Sequence, residues 1–160
     1  MAFNTSLKSL GSDYKHTYNT IKVGYYYPLS RRVSFSLSGG VANISGYDKI
    51  RFGDRLYLST DHVRGFEKMG PVDLERGDLL GGTFRHNVNT EVDFLLVLAD
   101  SMGIRGALFA SNVFLGKTPL DDGYTPISGD VNRNSIGTGI KWSSPLGPMR
   151  FDFIKVMQYS

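Results

Sequence analysis

The alternation from Val33 to Ala42 constrains the fold more than any other feature of the chain, because it has a strict period of two. One face of this run is apolar apart from a glycine, and the other carries serines and small residues. Such a pattern over about ten residues predicts a β-strand with one apolar and one small polar face. Weaker alternations occupy residues 3–10, 15–27, 87–98, 104–111, 136–142 and 149–153. No helical periodicity of useful length appears, so we predict an all-β chain of about seven antiparallel strands.

The connections between these runs alternate in length. Short turns are predicted at 28–32, 99–103 and 143–148, whereas long loops are predicted at 47–82 and 117–134. Short turns at one end and long loops at the other are typical of a transmembrane β-barrel. The apolar face would meet lipid, and the polar face suits a lumen, because it carries Ser, Thr, Asn, Gly and isolated charges. These charges include Lys22, Glu91, Asp93, Arg105, Lys141, Arg150 and Asp152. A soluble β domain is the alternative that this pattern leaves open.

Composition excludes several other classes of function. The 160 residues include no cysteine, and the net charge of +3 comes without any tract of Lys or Arg. Thiolate chemistry is therefore excluded, and nucleic acid is not an expected partner. The three histidines, His16, His62 and His86, lack metal-ligand spacing, and no catalytic or phosphate-binding motif is present. We therefore expect neither an enzyme, nor a metal site, nor a cofactor.

The long segment 47–82 contains the motif Val63-Arg64-Gly65-Phe66. Loops of this length inside a compact domain are usually functional or disordered. If the segment folds into a barrel lumen, the guanidinium needs a carboxylate on an inward-facing strand position. A solvated surface loop is the other possibility, and composition does not decide between them.

A set of short motifs falls in a fixed order along nearly the whole chain. They are Gly24-Tyr25-Tyr26-Tyr27-Pro28-Leu29, Val63-Arg64-Gly65-Phe66, Gly70-Pro71, Gly77-Asp78-Leu79-Leu80-Gly81-Gly82, Asn89-Thr90-Glu91, Gly103-Ile104-Arg105-Gly106, and Gly137-Thr138-Gly139-Ile140-Lys141-Trp142 running on to Phe151-Asp152. Together they resemble the C-terminal barrel of the BamA family of outer-membrane β-barrel assembly proteins. The turns at 27–29 and 144–148 resemble those of alphaproteobacterial members most.

The resemblance implies that the segment around Arg64 folds back into the barrel, where its guanidinium meets acidic residues on the inner wall. Glu91 matches one of these acids, and the alternation of its predicted strand puts it on the polar, inward-facing side. The family's second acid lies in a Phe-x-Asp-x-Gly pattern, which here retains Phe109 but has Ser111 and Val113. Because a hydroxyl cannot neutralise a guanidinium, Arg64 would rely on Glu91, helped by Asp93.

The resemblance also implies the extent of the domain. A family barrel has sixteen strands preceded by periplasmic repeats and a signal peptide. We expect residues 1–160 to form part of one surface-antigen-type barrel domain, about the last half, stopping before the final strand. The first residues have no signal-peptide character. The chain would then be a fragment, a split or decaying gene, or a half that pairs with another chain.

The implied function is the folding and insertion of β-barrel proteins into the bacterial outer membrane, with the mitochondrial outer membrane as the alternative location. The implied partners are outer-membrane lipid, unfolded β-barrel clients, and accessory assembly lipoproteins or the remaining half of the barrel. In the family, a barrel seam and local membrane thinning admit client strands by β-augmentation. A protein-translocating pore of the same superfamily and a nonfunctional remnant are the alternatives.

Overall fold

The computed structural model describes residues 2–8, 16–46, 50–66, 70, 71, 73, 75, 77–96, 103–116, 118 and 130–158. The strands are β1 (Ala2–Lys8), β2 (His16–Pro28), β3 (Val33–Gly46), β4 (Phe84–Leu95), β5 (Ile104–Gly116), β6 (Val131–Ser144) and β7 (Gly147–Gln158). A short 3₁₀ turn, Phe52–Asp54, lies between β3 and β4. No helix among the described residues is both long and apolar enough to cross a membrane.

The seven strands form one antiparallel sheet in chain order, β1 to β7, and each strand pairs with the next. The prediction of an all-β antiparallel chain with about seven strands is therefore confirmed. The connections 29–32, 96–103 and 145–146 lie at one end of the sheet, which we call the short-turn end. The connections 9–15, 47–83 and 117–130 lie at the opposite, long-loop end.

The two faces of the sheet differ in what covers them. Ser36, Glu91, Phe109 and Gly137 lie opposite one another across β3, β4, β5 and β6, on the face against which residues 50–66 pack. We call this the loop face, and the other the open face. The open face exposes large apolar side chains in every strand from β2 to β7: Ile21, Val23, Tyr25, Tyr27, Val41, Val88, Leu108, Ile136, Ile140, Met149, Phe151 and Phe153.

The main hydrophobic cluster lies on the loop face at the long-loop end. It joins two apolar positions of β3, four residues of the long segment and three residues of β5 and β6. We call these nine residues the loop core: Ala42, Ile44, Leu56, Leu58, Val63, Phe66, Val113, Leu115 and Val131. At this end the polarity of β3 is reversed, because Ala42 and Ile44 face the loop while Asn43 and Ser45 lie on the open face.

The strands extend further towards the long-loop end than the sequence pattern predicted. β3 continues to Gly46 instead of stopping near Ala42, β4 begins at Phe84 instead of Asn87, and β6 begins at Val131 inside a predicted loop. The boundaries of β3 and β6 were wrong because polar and apolar residues exchange faces there, which interrupts the alternation without ending the strand; β4 keeps Phe84 on the open face and Arg85 on the loop face. Most of the predicted turn at 99–103 and residues 119–129 of the second predicted loop lie outside the described residues.

Candidate functional site

Residues 50–66 are held at their base by backbone and arginine hydrogen bonds. Leu56 and Gly82 form an isolated antiparallel bridge, with N–O distances of 2.8 and 2.9 Å. The guanidinium of Arg55 donates to the carbonyl oxygens of Leu80 at 2.9 Å and Ile50 at 3.1 Å. The two sides of the long segment are therefore joined to each other before the segment reaches the sheet.

The Val63-Arg64-Gly65-Phe66 motif divides its side chains between two environments. Val63 and Phe66 are 1% and 4% exposed and belong to the loop core. Gly65 has a φ of 84°, and a Cβ there would lie 2.7 Å from Cγ2 of Ile154 on β7. Only glycine meets both requirements, left-handed backbone and close approach. The two apolar side chains thus anchor the motif, and Arg64 extends towards the middle of the loop face.

Arg64 contacts one carboxylate and one aromatic ring on the sheet. Its Nη1 donates to Oε2 of Glu91 at 2.5 Å, and its guanidinium carbon lies 4.5 Å from the ring centroid of Phe109. Glu91 is buried. The ring of Phe109 lies against Gly137, where a Cβ would approach the ring to 2.5 Å. A glycine on β6 therefore lets Phe109 lie flat beneath Arg64, in cation–π geometry.

Glu91 also binds two further cations from the neighbouring strands. Arg150 Nη2 donates to Oε2 of Glu91 at 2.7 Å, and Lys141 Nζ contacts Oε1. Lys141 Nζ also lies 2.7 Å from Asp93, and Arg150 Nε donates to Asp152 at 2.8 Å. We call these six residues the charge network: Arg64, Glu91, Asp93, Lys141, Arg150 and Asp152. Three cations balance three carboxylates, so Glu91 is not committed to Arg64 alone.

The positions singled out in the sequence do not all take part. Asp93 binds Lys141, and no contact joins it to Arg64 among the described interactions. Ser111 lies on the loop face and is buried, but its hydroxyl has no hydrogen-bond partner in the described part of the chain. Sequence reasoning placed Lys141, Arg150 and Asp152 on the lumen-type face by parity, but it did not show that they converge on Glu91. That convergence depends on the pairing register of four strands.

His62 precedes the motif and has its own contacts. The Nδ1 atom of His62 accepts a hydrogen bond from the backbone N–H of Ser59 at 3.2 Å and lies 2.8 Å from the Ser59 hydroxyl. Partial burial lowers the pKa of His62, as do Arg85 and Lys22, whereas Asp61 opposes the shift. The imidazole is therefore held neutral near pH 7, with Nδ1 as an acceptor.

The site offers ionic and apolar anchoring for a loop. Among the described residues, no group of three His, Asp or Glu side chains could hold a metal ion. Every contact of Arg64 is noncovalent, and its side chain remains about 30% exposed. Such an arrangement fixes the loop on the sheet by apolar burial and ion pairing.

Comparison with known proteins identifies relatives over the whole length of the sheet. The model of the Omp85 superfamily domain matches residues 1–158. The chain is 28% identical over 162 residues to outer membrane protein assembly factor BamA of Neorickettsia risticii (strain Illinois), covering 97% of this chain and 21% of that protein. It is 30% identical over 179 residues to BamA of Neisseria meningitidis serogroup B (strain ATCC BAA-335 / MC58), covering 94% of this chain and 22% of that protein. The chain thus spans about a fifth of the length of these relatives.

The fold has a matching solved structure. The crystal structure of BamA from Haemophilus ducreyi lacking POTRA domains 1-3 superposes with a TM-score of 0.78 at 21% identity, covering 99% of this chain and 35% of that chain. The sheet therefore has the fold of part of this barrel, and the similarity to the two relatives indicates the bacterial outer membrane as its location. The chain belongs to the Omp85 superfamily, as a C-terminal portion of a BamA-type barrel.

Proposed function

We propose that this chain is part of an outer-membrane assembly factor that folds and inserts β-barrel proteins. One observation carries the proposal: Val63 and Phe66 bury themselves in the loop core while Arg64 reaches Glu91 at 2.5 Å. The long segment of residues 47–82, whose described part 50–66 packs on the loop face, would be the inward-folding loop of the barrel domain. The two relatives are named as outer membrane protein assembly factors, which supports the same conclusion.

The chain would act together with other strands. β1 and β7 are the edge strands of the sheet, and lipid does not tolerate unpaired backbone N–H and C=O groups. The remaining part of the barrel, from the same or another polypeptide, would pair with these edges. Unfolded clients would add their strands by β-augmentation at a seam of the completed barrel. Outer-membrane lipid and accessory assembly lipoproteins are the other proposed partners.

The docked loop would contribute by holding the inner wall in one arrangement. Glu91 connects Arg64 to Lys141 on β6 and Arg150 on β7. The loop is thereby joined to strands that lie towards one edge of the sheet. Lys141 and Arg150 would still be paired with Glu91 if the loop detached and Arg64 moved away. Detachment would therefore not leave a buried carboxylate without a cationic partner. The proposed role is that of a reversible brace, without chemical catalysis.

The test is client folding in lipid vesicles. Membranes carrying the chain in its complete assembly receive a urea-unfolded β-barrel client, and folding is followed by heat-modifiable electrophoretic mobility. Arg64→Ala should slow client folding severalfold, whereas Arg133→Ala, which changes a loop-face arginine outside the charge network, should leave the rate unchanged. Equal rates with and without the chain would contradict an assembly function.

The same vesicles separate assembly from translocation. A protein-translocating pore of the superfamily would deliver a soluble passenger into the vesicle lumen, where added protease cannot reach it. An assembly factor would instead leave the client integrated in the bilayer and resistant to carbonate extraction. A nonfunctional remnant would do neither, and its Arg64→Ala variant would behave as the unmodified chain does.

A further inference from the structure

The charged residues of the sheet are distributed very unevenly between its faces. By the pairing register, nine of them lie on the loop face: Lys22, Arg85, Glu91, Asp93, Arg105, Arg133, Lys141, Arg150 and Asp152. Among the described side chains of β2 to β7, Lys155 is the one formally charged residue on the open face. A lysine on a lipid-facing surface is unfavourable unless its ammonium reaches a polar or anionic group.

Lys155 lies where the open face changes from apolar to polar. It pairs with Ile136 of β6, and the next residues of that face towards the long-loop end are Asn134 and Met157. Asn112 of β5 donates to the side-chain oxygens of Asn134 at 2.6 Å and Asn132 at 2.9 Å. This amide cluster is a polar border on the open face of β5 and β6, close to Lys155.

Two adjacent hollows on the open face meet at Ile136. One, of about 420 Å³, is lined by Leu108, Ile136, Thr138, Phe153 and Lys155 on this face. The other, of about 400 Å³, is lined on the open face by Val88, Ala110, Asn134, Ile136 and Met157, among others. Each hollow has an apolar floor, and a polar side chain stands at its border: an ammonium in the first and amides in the second.

We propose that β5, β6 and β7 bind an anionic membrane lipid on the open face, with its phosphate at Lys155 and an acyl chain in the hollow beside Leu108, Ile136 and Phe153. A lysine stem can follow an apolar surface while the ammonium extends to the headgroup level. An anionic headgroup complements this lysine, since no described carboxylate of β2 to β7 shares its face. A specific lipid at this place lies beyond the proposed assembly function and does not depend on it.

The experiment measures lipid selection by the detergent-solubilised full chain. Native mass spectrometry counts bound lipids after titration with an equal mixture of phosphatidylglycerol and phosphatidylcholine. The unmodified chain should retain phosphatidylglycerol in preference to phosphatidylcholine. Lys155→Gln should reduce that preference about fivefold, the effect of about 1 kcal/mol for one basic residue near an anionic lipid. Lys155→Arg should restore it.

Lys22→Gln is the matched control, because it removes the same charge from the loop face of the sheet. If Lys22→Gln and Lys155→Gln reduce the preference equally, net charge explains it and the site is refuted. Unchanged selectivity in Lys155→Gln refutes it as well. Displacement of phosphatidylglycerol by excess inorganic phosphate would indicate a free-anion site, overturning the lipid assignment. If Lys155→Gln does not fold in detergent, Lys155→Met provides the same comparison.

Discussion

The two ends of the sheet differ in what fills the loop face and in what covers the open face. In the membrane belt, which we define as the open-face apolar residues from Ile21 to Phe153 together with the loop-face residues behind them, the outside is apolar and the inside holds the charge network. At the long-loop end the inside is the loop core, and the outside mixes amides such as Asn132 and Asn134 with the aromatic rings of Phe84 and Phe114. Apolar burial against the sheet thus lies on the outer face in the belt and on the inner face at the long-loop end.

This difference shows what stabilises each part. In lipid, apolar side chains have no hydrophobic driving force to contact one another, so the belt depends more on backbone pairing and on the balanced charges inside. At the long-loop end, water is present and the buried area of the loop core contributes in the ordinary way. The docked loop is therefore attached to the sheet by hydrophobic burial in the loop core and by ion pairing at Arg64.

The largest effect should come from removing a ring from the loop core. Phe66→Ala should destabilise the docked loop by about 3–5 kcal/mol, the usual effect of truncating a buried phenylalanine. Phe153→Ala, in the belt and 69% exposed in the isolated sheet, should change loop docking little. Limited proteolysis within residues 50–66 measures both. Comparable protection of the loop in the two variants would show that burial does not attach it.

A charge on the open face should have unequal consequences at the two ends. Leu108→Arg lies in the belt and should reduce stability in lipid by about 2–4 kcal/mol, whereas a basic residue near the interface changes it by about 0–1 kcal/mol. Asn132→Arg, beyond the apolar belt on β6, tests the effect of a basic residue near the interface. Urea unfolding from vesicles, followed by fluorescence of the single tryptophan Trp142, compares them. Equal losses would mean that the amide cluster also lies within hydrocarbon.

The change of polarity along β3 explains which parts of the fold can be predicted from the sequence. From Val33 to Ala42 the alternation has one constant sense, because one face meets lipid and the other the lumen. From Asn43 to Gly46 the polar and apolar residues exchange faces. The sequence pattern therefore predicted an end of β3 near Ala42, although the backbone pairing continues to Gly46. Local periodicity finds a strand, but it cannot recognise one whose surroundings change along its length.

The charge network shows a second limit. Parity assigned Glu91, Lys141 and Arg150 to one face, and the family resemblance linked Arg64 to Glu91. Neither indicated that Lys141 and Arg150 also bind Glu91, because this depends on the register of β4, β5, β6 and β7. Partnerships across several strands are tertiary information, whereas the face of each residue is local.

Removing the central carboxylate should have the next largest effect. Glu91→Gln leaves Arg64, Lys141 and Arg150 facing a neutral amide, whereas Asp93→Asn removes one partner of Lys141. We expect Glu91→Gln to destabilise loop docking by about 1–3 kcal/mol, below the 3–5 kcal/mol of a fully buried pair because all three cations are about 30% exposed. Proteolysis of residues 50–66 should be faster in Glu91→Gln than in Asp93→Asn, and equal rates would refute the central position of Glu91.

The smallest effect should be a pH dependence confined to the long-loop end. Because the pKa of His62 is lowered in the folded loop, the folded state binds fewer protons than the unfolded loop does. The contribution of neutral His62 is therefore fully present above about pH 6.5, its ordinary pKa, and is lost as the pH falls through the lower folded value. Protonation would also convert Nδ1 from an acceptor into a donor facing the Ser59 N–H.

Cleavage within residues 50–66 should accordingly accelerate as the pH falls below about 6.5. His62→Gln should flatten this dependence, whereas His86→Gln, on the open face beside Phe114, should leave it intact. The belt provides an internal reference, because unfolding of the whole sheet in vesicles should respond much less than the loop over the same pH range. A dependence that persists in His62→Gln would move its origin to the carboxylates of the charge network.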